Sequence, residues 1–168
     1  MLLINLVLSM SKIELVELEE FRCGAGRVYS VAVDDTEETL YDRFLEENKQ
    51  EYKEELVEIM TKLNTMSGKT GFTDTFFKLN EGKPGDGICA ITDWKGKLRL
   101  YCIRFGNILL VLGGGGPKTT RTYQEAPKLL SENLLLRSVS DVMAEAIKEK
   151  DIKIEEDGSL SGNLVIEF

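Results

Sequence analysis

The run KLRLYCIRFGNILLVLGGGGP, residues 97–117, constrains the fold more than any other part of the chain. Its first half alternates as an extended strand does. Leu98, Leu100, Cys102 and Arg104 share one face, and Arg99, Tyr101, Ile103 and Phe105 share the other. Gly106-Asn107 then predicts a tight hairpin turn, and ILLVL returns as an apolar strand. Such a hairpin belongs to a sheet that other elements must cover.

Those elements can be read on either side. KIELVELEEF (12–21) and RVYSVAVD (27–34) predict two strands joined by a turn at CGAG. Asp35 and Glu38 predict a capping box. Leu40, Phe44, Leu45, Tyr52, Leu56, Ile59, Met60 and Leu63 then recur at helical spacing to about Thr65, with Gly68 as the stop. The polar EENKQ splits this stretch into one helix or two. Phe76, Phe77 and Leu79 predict part of a strand, NEGKPGDG a turn-rich connection, and GICAIT a further strand. Residues 131–150 predict a second helical region with Ser131 as N-cap, and Leu135, Val139, Val142, Met143, Ala146 and Ile147 as its apolar stripe. Asp157-Gly158 marks a terminal hairpin. The expected fold is α+β: an antiparallel sheet with helices packed on it, in a single domain over 1–168. Within it, 1–34 is an N-terminal hairpin extension, 37–124 a core, and 131–168 a C-terminal helix and hairpin.

Composition removes several classes of chemistry. The chain has no histidine, so Ser-His-Asp and Cys-His mechanisms and His-bearing zinc sites are excluded. Cys23, Cys89 and Cys102 show no CxxC spacing, and the last two read as small core residues. Reduced thiols and a cytoplasmic setting are expected. The opening MLLINLVLSM is too short to span a membrane and has no basic leader, so no membrane partner is expected. It reads as an added strand, or as a stretch ahead of a start at Met10.

Net charge is −8, but it is unevenly spread. Residues 1–67 hold 7 basic and 15 acidic side chains, and 125–168 hold 5 and 10. Between them, 68–124 hold 9 basic and 4 acidic. The middle is a basic island in an acidic chain.

The four glycines at 113–116 lie inside that island. They are not a Walker A loop. Aligning Lys118-Thr119 on its K[ST] puts Pro117 where the second glycine belongs and Leu112 where the first does. Proline has no N–H to offer a phosphate. GxGxxG also fails, because no βαβ unit surrounds the glycines. A nucleotide-dependent enzyme is therefore the weakest reading. The remaining readings are a strand end or bulge, and a backbone that something else approaches closely.

A helical part, then TFFKLNEG, then KLRLYCIRFGNILLVLGGGGPKTTRTY, resembles the RelE/ParE superfamily of bacterial type II toxins, including HigB-like members. In that family an arginine-bearing strand turns into an apolar strand that ends in a segment with glycine, a basic residue and an aromatic. The resemblance covers about 37–124. It implies a metal-independent, cofactor-free, ribosome-dependent mRNA endonuclease or translation inhibitor, neutralised by an antitoxin of helix-turn-helix type. It implies catalytic roles for Lys118, Arg121, Tyr123 and Arg99, and contact with RNA phosphates by Arg104, Lys97 and Lys95. Cationic side chains would stabilise charge on the scissile phosphate while the ribose 2′-OH is activated. Arg99 and Arg104 lie on opposite strand faces, so a bulge or sheet edge is needed to unite them. ParE-like members lack RNase activity, and the alternative is a non-catalytic interaction module of the same fold whose acidic helix 36–66 meets a partner.

Overall fold

Alternation and β-branching build the sheet. The computed structural model describes residues 9–21, 23–79, 81–119 and 126–168. Strands β1 (Lys12–Glu17) and β2 (Arg27–Val33) pair antiparallel, with Ile13 opposite Val33. Helix α1 (Leu40–Asn48) follows, then α2 (Lys53–Thr65). The polar stretch does split the helical region. The capping box is not the expected one, because Thr39 and Asp42 exchange side-chain and backbone hydrogen bonds at 3.1 Å. Gly68 does not stop α2 either. One π-helical turn, Met66–Thr70, carries the chain to Gly71, whose φ of 77° favours glycine.

A 3₁₀ turn at Asp74–Phe76 replaces the strand expected around Phe76. Only Lys78 bridges to a strand, pairing with Ala90. Strands β3 (Ile88–Thr92), β4 (Leu98–Phe105) and β5 (Leu109–Pro117) form the meander. The last of these runs straight through all four glycines. Helix α3 (Pro127–Lys148) begins a turn earlier than expected, with Ala126 at its N-cap and Pro127 in its first turn. Ser131 is thus buried inside the helix. Strands β6 (Ile152–Ile154) and β7 (Leu160–Gly162) make the terminal hairpin, and β8 (Val165–Glu167) adds to β1.

The main sheet has the order β3-β4-β5-β2-β1-β8. It is mixed rather than antiparallel, because β2 and β5 run parallel, Ser30 opposite Leu112. The connection from β2 through both helices and β3–β4 brings β5 back beside β2. The C-terminal ends of β2, β3 and β5 and the N-terminal end of β4 therefore share one end of the sheet.

Each face has its own core. Tyr29, Val31, Tyr101, Ile103 and Val111 pack under Leu135, Leu136, Val139 and Met143 of α3. Val28, Ile91, Leu100, Cys102 and Leu110 pack under Tyr41, Phe44, Leu56, Ile59 and Leu63 of α1 and α2. Cys89 and Cys102 are buried cross-strand neighbours with their sulfurs 3.3 Å apart, and burial pushes the Cys102 thiol up. Among the described residues, no helix is long and apolar enough to cross a membrane.

Candidate functional site: a cation cluster at one end of the sheet

The glycine run is where the chain's layers come closest. β5 loses β2 as a partner after Leu112, and its register with β4 slips there. Leu100 faces Gly115 and Cys102 faces Leu112, so Gly113 and Gly114 bulge opposite Tyr101. Each glycine makes room for a named neighbour. A Cβ on Gly113 would lie 2.9 Å from Leu136, one on Gly114 would overlap the Glu132 carboxylate, and one on Gly115 would overlap the Arg99 carbonyl. None of these three has a positive φ. The glycines are kept for close approach, which is the second of the readings left open by the sequence.

What approaches is a paired charge knot around one buried carboxylate. Glu132 of α3 has no exposed surface. It accepts from Arg43 of α1 at 2.6 and 2.7 Å and from Lys128 at 2.8 Å. Lys128 also donates to Glu47 at 3.0 Å. Two cations thus meet two carboxylates across Gly114, and the knot joins α1 to α3. A buried carboxylate is tolerable only when paired in this way.

Beside this knot, at the same end of the sheet, the charges of the described residues do not balance. Arg99 stands opposite Gly116 on one side and Thr92 on the other. It is only 3% exposed. Its guanidinium lies 3.3 Å from Glu81 Oε1, and its Nε is buried without a hydrogen-bond partner among the described residues. The Glu81 carbonyl accepts from Asn133 Nδ2 of α3 at 2.8 Å, and Ser140 holds the Asp86 carbonyl at 2.8 Å. Helix α3 therefore clamps the 81–86 connection and sets Glu81 against Arg99.

Lys118 follows β5 directly, and its N–H donates to the Lys97 carbonyl at 2.8 Å. Partial burial lowers the pKa of its ammonium, and the positive charges of Arg99 and Lys78 lower it further, against the pull of Glu81. Lys118 thus feels the charges of both Arg99 and Lys78, and among the described residues Glu81 is the one carboxylate that acts on it. An oxyanion would relieve this excess, and the half-buried Lys118 gives it access.

The expected residues are only partly brought together. Arg99 and Lys118 share the cluster. Lys95 and Lys97 are exposed on the adjoining β3–β4 turn, which Asp93 closes by accepting from Leu98 and Lys95. Arg104 stands apart on both counts. It is on the opposite face, and five residues of strand carry it about 17 Å along the sheet from Arg99. There it pairs with Asp74 and lies 5.5 Å from the Phe77 ring centroid. The bulge that would have to unite the two arginines lies on β5 and does not turn Arg104 across. Arg121 and Tyr123 lie outside the described residues.

Lys78, Glu81 and Asn133 were not singled out in the sequence. Lys78 lies in a stretch that reads as strand, and Glu81 in a turn. Asn133 carried the one usable signal, a polar residue among the leucines of α3. Among the described residues, no group of three or more Asp, Glu or Cys side chains is arranged to hold a metal ion. Comparison with known protein families, curated proteins and solved structures finds no match for the chain.

Proposed function

We propose that this chain is a RelE/HigB-like toxin that acts on RNA through the Lys78–Arg99–Lys118 cluster, as an mRNA endonuclease or a translation inhibitor. The observation that carries the reading is the excess positive charge around Glu81, half open to solvent, in a chain that is otherwise acidic. Phosphodiester is the ligand class such a cluster suits. Arg99 is rigid and already desolvated, so it would hold a phosphate oxygen with little reorganisation.

In the cleavage form of the reading, Lys118 in its neutral amine form takes the proton of a ribose 2′-OH, whereas its ammonium form binds phosphate. The freed oxygen attacks the adjacent phosphorus, and the bond to the 5′ oxygen breaks. The product ends are a 2′,3′-cyclic phosphate and a 5′-hydroxyl, the latter taking up a proton as it leaves. Charge that develops on the phosphate is met by Arg99 and Lys78. A lysine held below its ordinary range is better suited to this exchange than a fully solvated one. Toxicity would be relieved by a cognate antitoxin.

Induced expression in bacteria tests the proposal. Growth arrest by the wild-type chain, relieved by Lys118→Ala combined with Arg121→Ala at equal protein level, is the expected result. Harmless expression of the folded wild type would count heavily against it.

A further inference from the structure

We propose that Trp94 is a base-stacking platform for single-stranded RNA whose phosphates pass over Lys95 and Lys97 to the Lys118–Arg99 cluster. This rests on the RNA reading above and adds to it a subsite with a chemical preference for bases.

Trp94 is the chain's one tryptophan, and it is 79% exposed at the tip of the β3–β4 turn. The turn does not need it. Asp93 closes the turn from inside, and Gly96 supplies the positive φ. The indole is nevertheless held in position. Its backbone N–H donates to Glu58 at 3.0 Å, and the Lys62 ammonium sits 4.7 Å from the ring centroid. Lys62 is fixed in turn by the Thr92 carbonyl at 2.6 Å. One ring face is thus covered by a cation, and most of the remaining aromatic surface is open.

The surroundings suit a nucleotide. The ring borders a groove of about 320 Å³, lined also by Val57, Thr61 and Phe76, which offers apolar surface to a base. Lys62 lies over the ring, and the exposed Lys95 and Lys97 follow it in the turn. The Asp93 carboxylate is buried and engaged with the turn's backbone, while the charged Glu58, which accepts from the Trp94 N–H, also lines the groove and is offset there by Lys62. The Lys97 carbonyl accepts from the Lys118 N–H, so no more than about 11 Å of extended chain separates Trp94 from the cluster's edge. A pre-positioned aromatic beside a basic track is the arrangement that binds single strands through stacking and phosphate contact together.

Because Trp94 is the only tryptophan, its fluorescence reports on the subsite directly. The probe is a 2′-O-methyl oligouridine of about eight nucleotides, which cannot be cleaved by 2′-OH attack. Its binding is followed in parallel by anisotropy of a terminal dye. Wild-type protein should bind with quenching of the indole. Trp94→Ala should weaken binding by about 5- to 150-fold, and Trp94→Phe should retain most of the affinity. An abasic oligomer of equal charge should bind wild type no better than the uridine oligomer binds Trp94→Ala. Saturation by anisotropy with unchanged indole fluorescence, or equal affinity for the abasic oligomer, overturns the stacking proposal. Loss of binding in Lys118→Ala alongside either result leaves the RNA reading standing without it. Trp94-dependent binding indifferent to Lys118→Ala would overturn the cluster reading and keep the platform. No binding of either oligomer by folded wild type overturns both and leaves the groove to a protein partner.

Discussion

Strand β5 separates two charged clusters that are built from the same residue types and do opposite things. On the glycine side, Arg43 and Lys128 meet Glu132 and Glu47, and Glu132 is entirely buried. On the other, Lys78, Arg99 and Lys118 share one nearby carboxylate, Glu81, with Lys118 half open to water. In the first cluster two cations are matched by two carboxylates, although Arg43 Nε, like Arg99 Nε, is buried without a hydrogen-bond partner among the described residues, so it acts as a fastening between α1 and α3. Among the described residues the second holds fewer carboxylates than cations, so it is suited to receive a negative charge. Burial alone does not separate structure from function here, since Arg99 is nearly as buried as Glu132. The balance of charge does.

The sharpest way to break this contrast is at the glycines. Gly115→Ala sets a methyl against the Arg99 backbone carbonyl, which cannot swing aside, and should cost about 3 kcal/mol. Gly116→Ala meets only the Lys128 side chain at 3.3 Å and should change stability by less than about 1 kcal/mol. Urea midpoints of the two variants measure the difference. If Gly115→Ala were as mild as Gly116→Ala, close approach would not be why the run is glycine.

Next in size is the knot itself. Glu132→Ala strands Arg43 and Lys128 and should destabilise by about 2–3 kcal/mol, somewhat less than a fully buried pair because both cations keep some exposure. Equilibrium denaturation tests this. A loss below about 0.5 kcal/mol would reduce the knot to ordinary surface pairing.

The open cluster should behave in reverse. Lys118→Ala should leave stability within about 0.5 kcal/mol of wild type. It should weaken binding to single-stranded RNA and lower the slope of log affinity against log salt by about 0.7 for the lost phosphate contact. An unchanged slope would remove Lys118 from the phosphate path.

The smallest effect concerns pH. Burial and the neighbouring cations hold the Lys118 ammonium below the ordinary lysine value of about 10.4. The charged form binds phosphate, so affinity should begin to fall at lower pH than for a free lysine as pH rises. Lys118→Arg, charged throughout, should hold affinity over the same range. Parallel falls in both proteins would assign the loss to another group.

Much of the fold was legible because its signals are local. Alternation in KLRLYCIRF gave β4 and both of its faces, and the polar EENKQ separated α1 from α2. Features decided by distant partners were not legible. The parallel pairing of Ser30 with Leu112 depends on a long crossover, and β8 joins β1 from the far end of the chain. Asp35 and Ser131 fit cap patterns, but Thr39, through its own local capping box with Asp42, and Ala126, ahead of Pro127, hold those positions. The glycine run left open a strand end or a close approach, and which neighbours approach could not be read because Glu132 and Leu136 are contributed by a helix further along. Arg99 and Lys118 were singled out by the resemblance, and both lie in the basic island. Glu81 and Asn133 could not, since their part in the site comes from α3 closing over the 81–86 connection.

The central claim is that the unbalanced cluster engages RNA in translation. Its most direct test is a translating bacterial extract given purified wild type or Lys118→Ala, with the 5′ ends of a reporter mRNA mapped over time. Halted translation is expected with wild type, with new internal 5′-hydroxyl ends if the cluster cleaves, and neither effect with Lys118→Ala. Undiminished translation and intact mRNA in the presence of folded wild-type protein would contradict it.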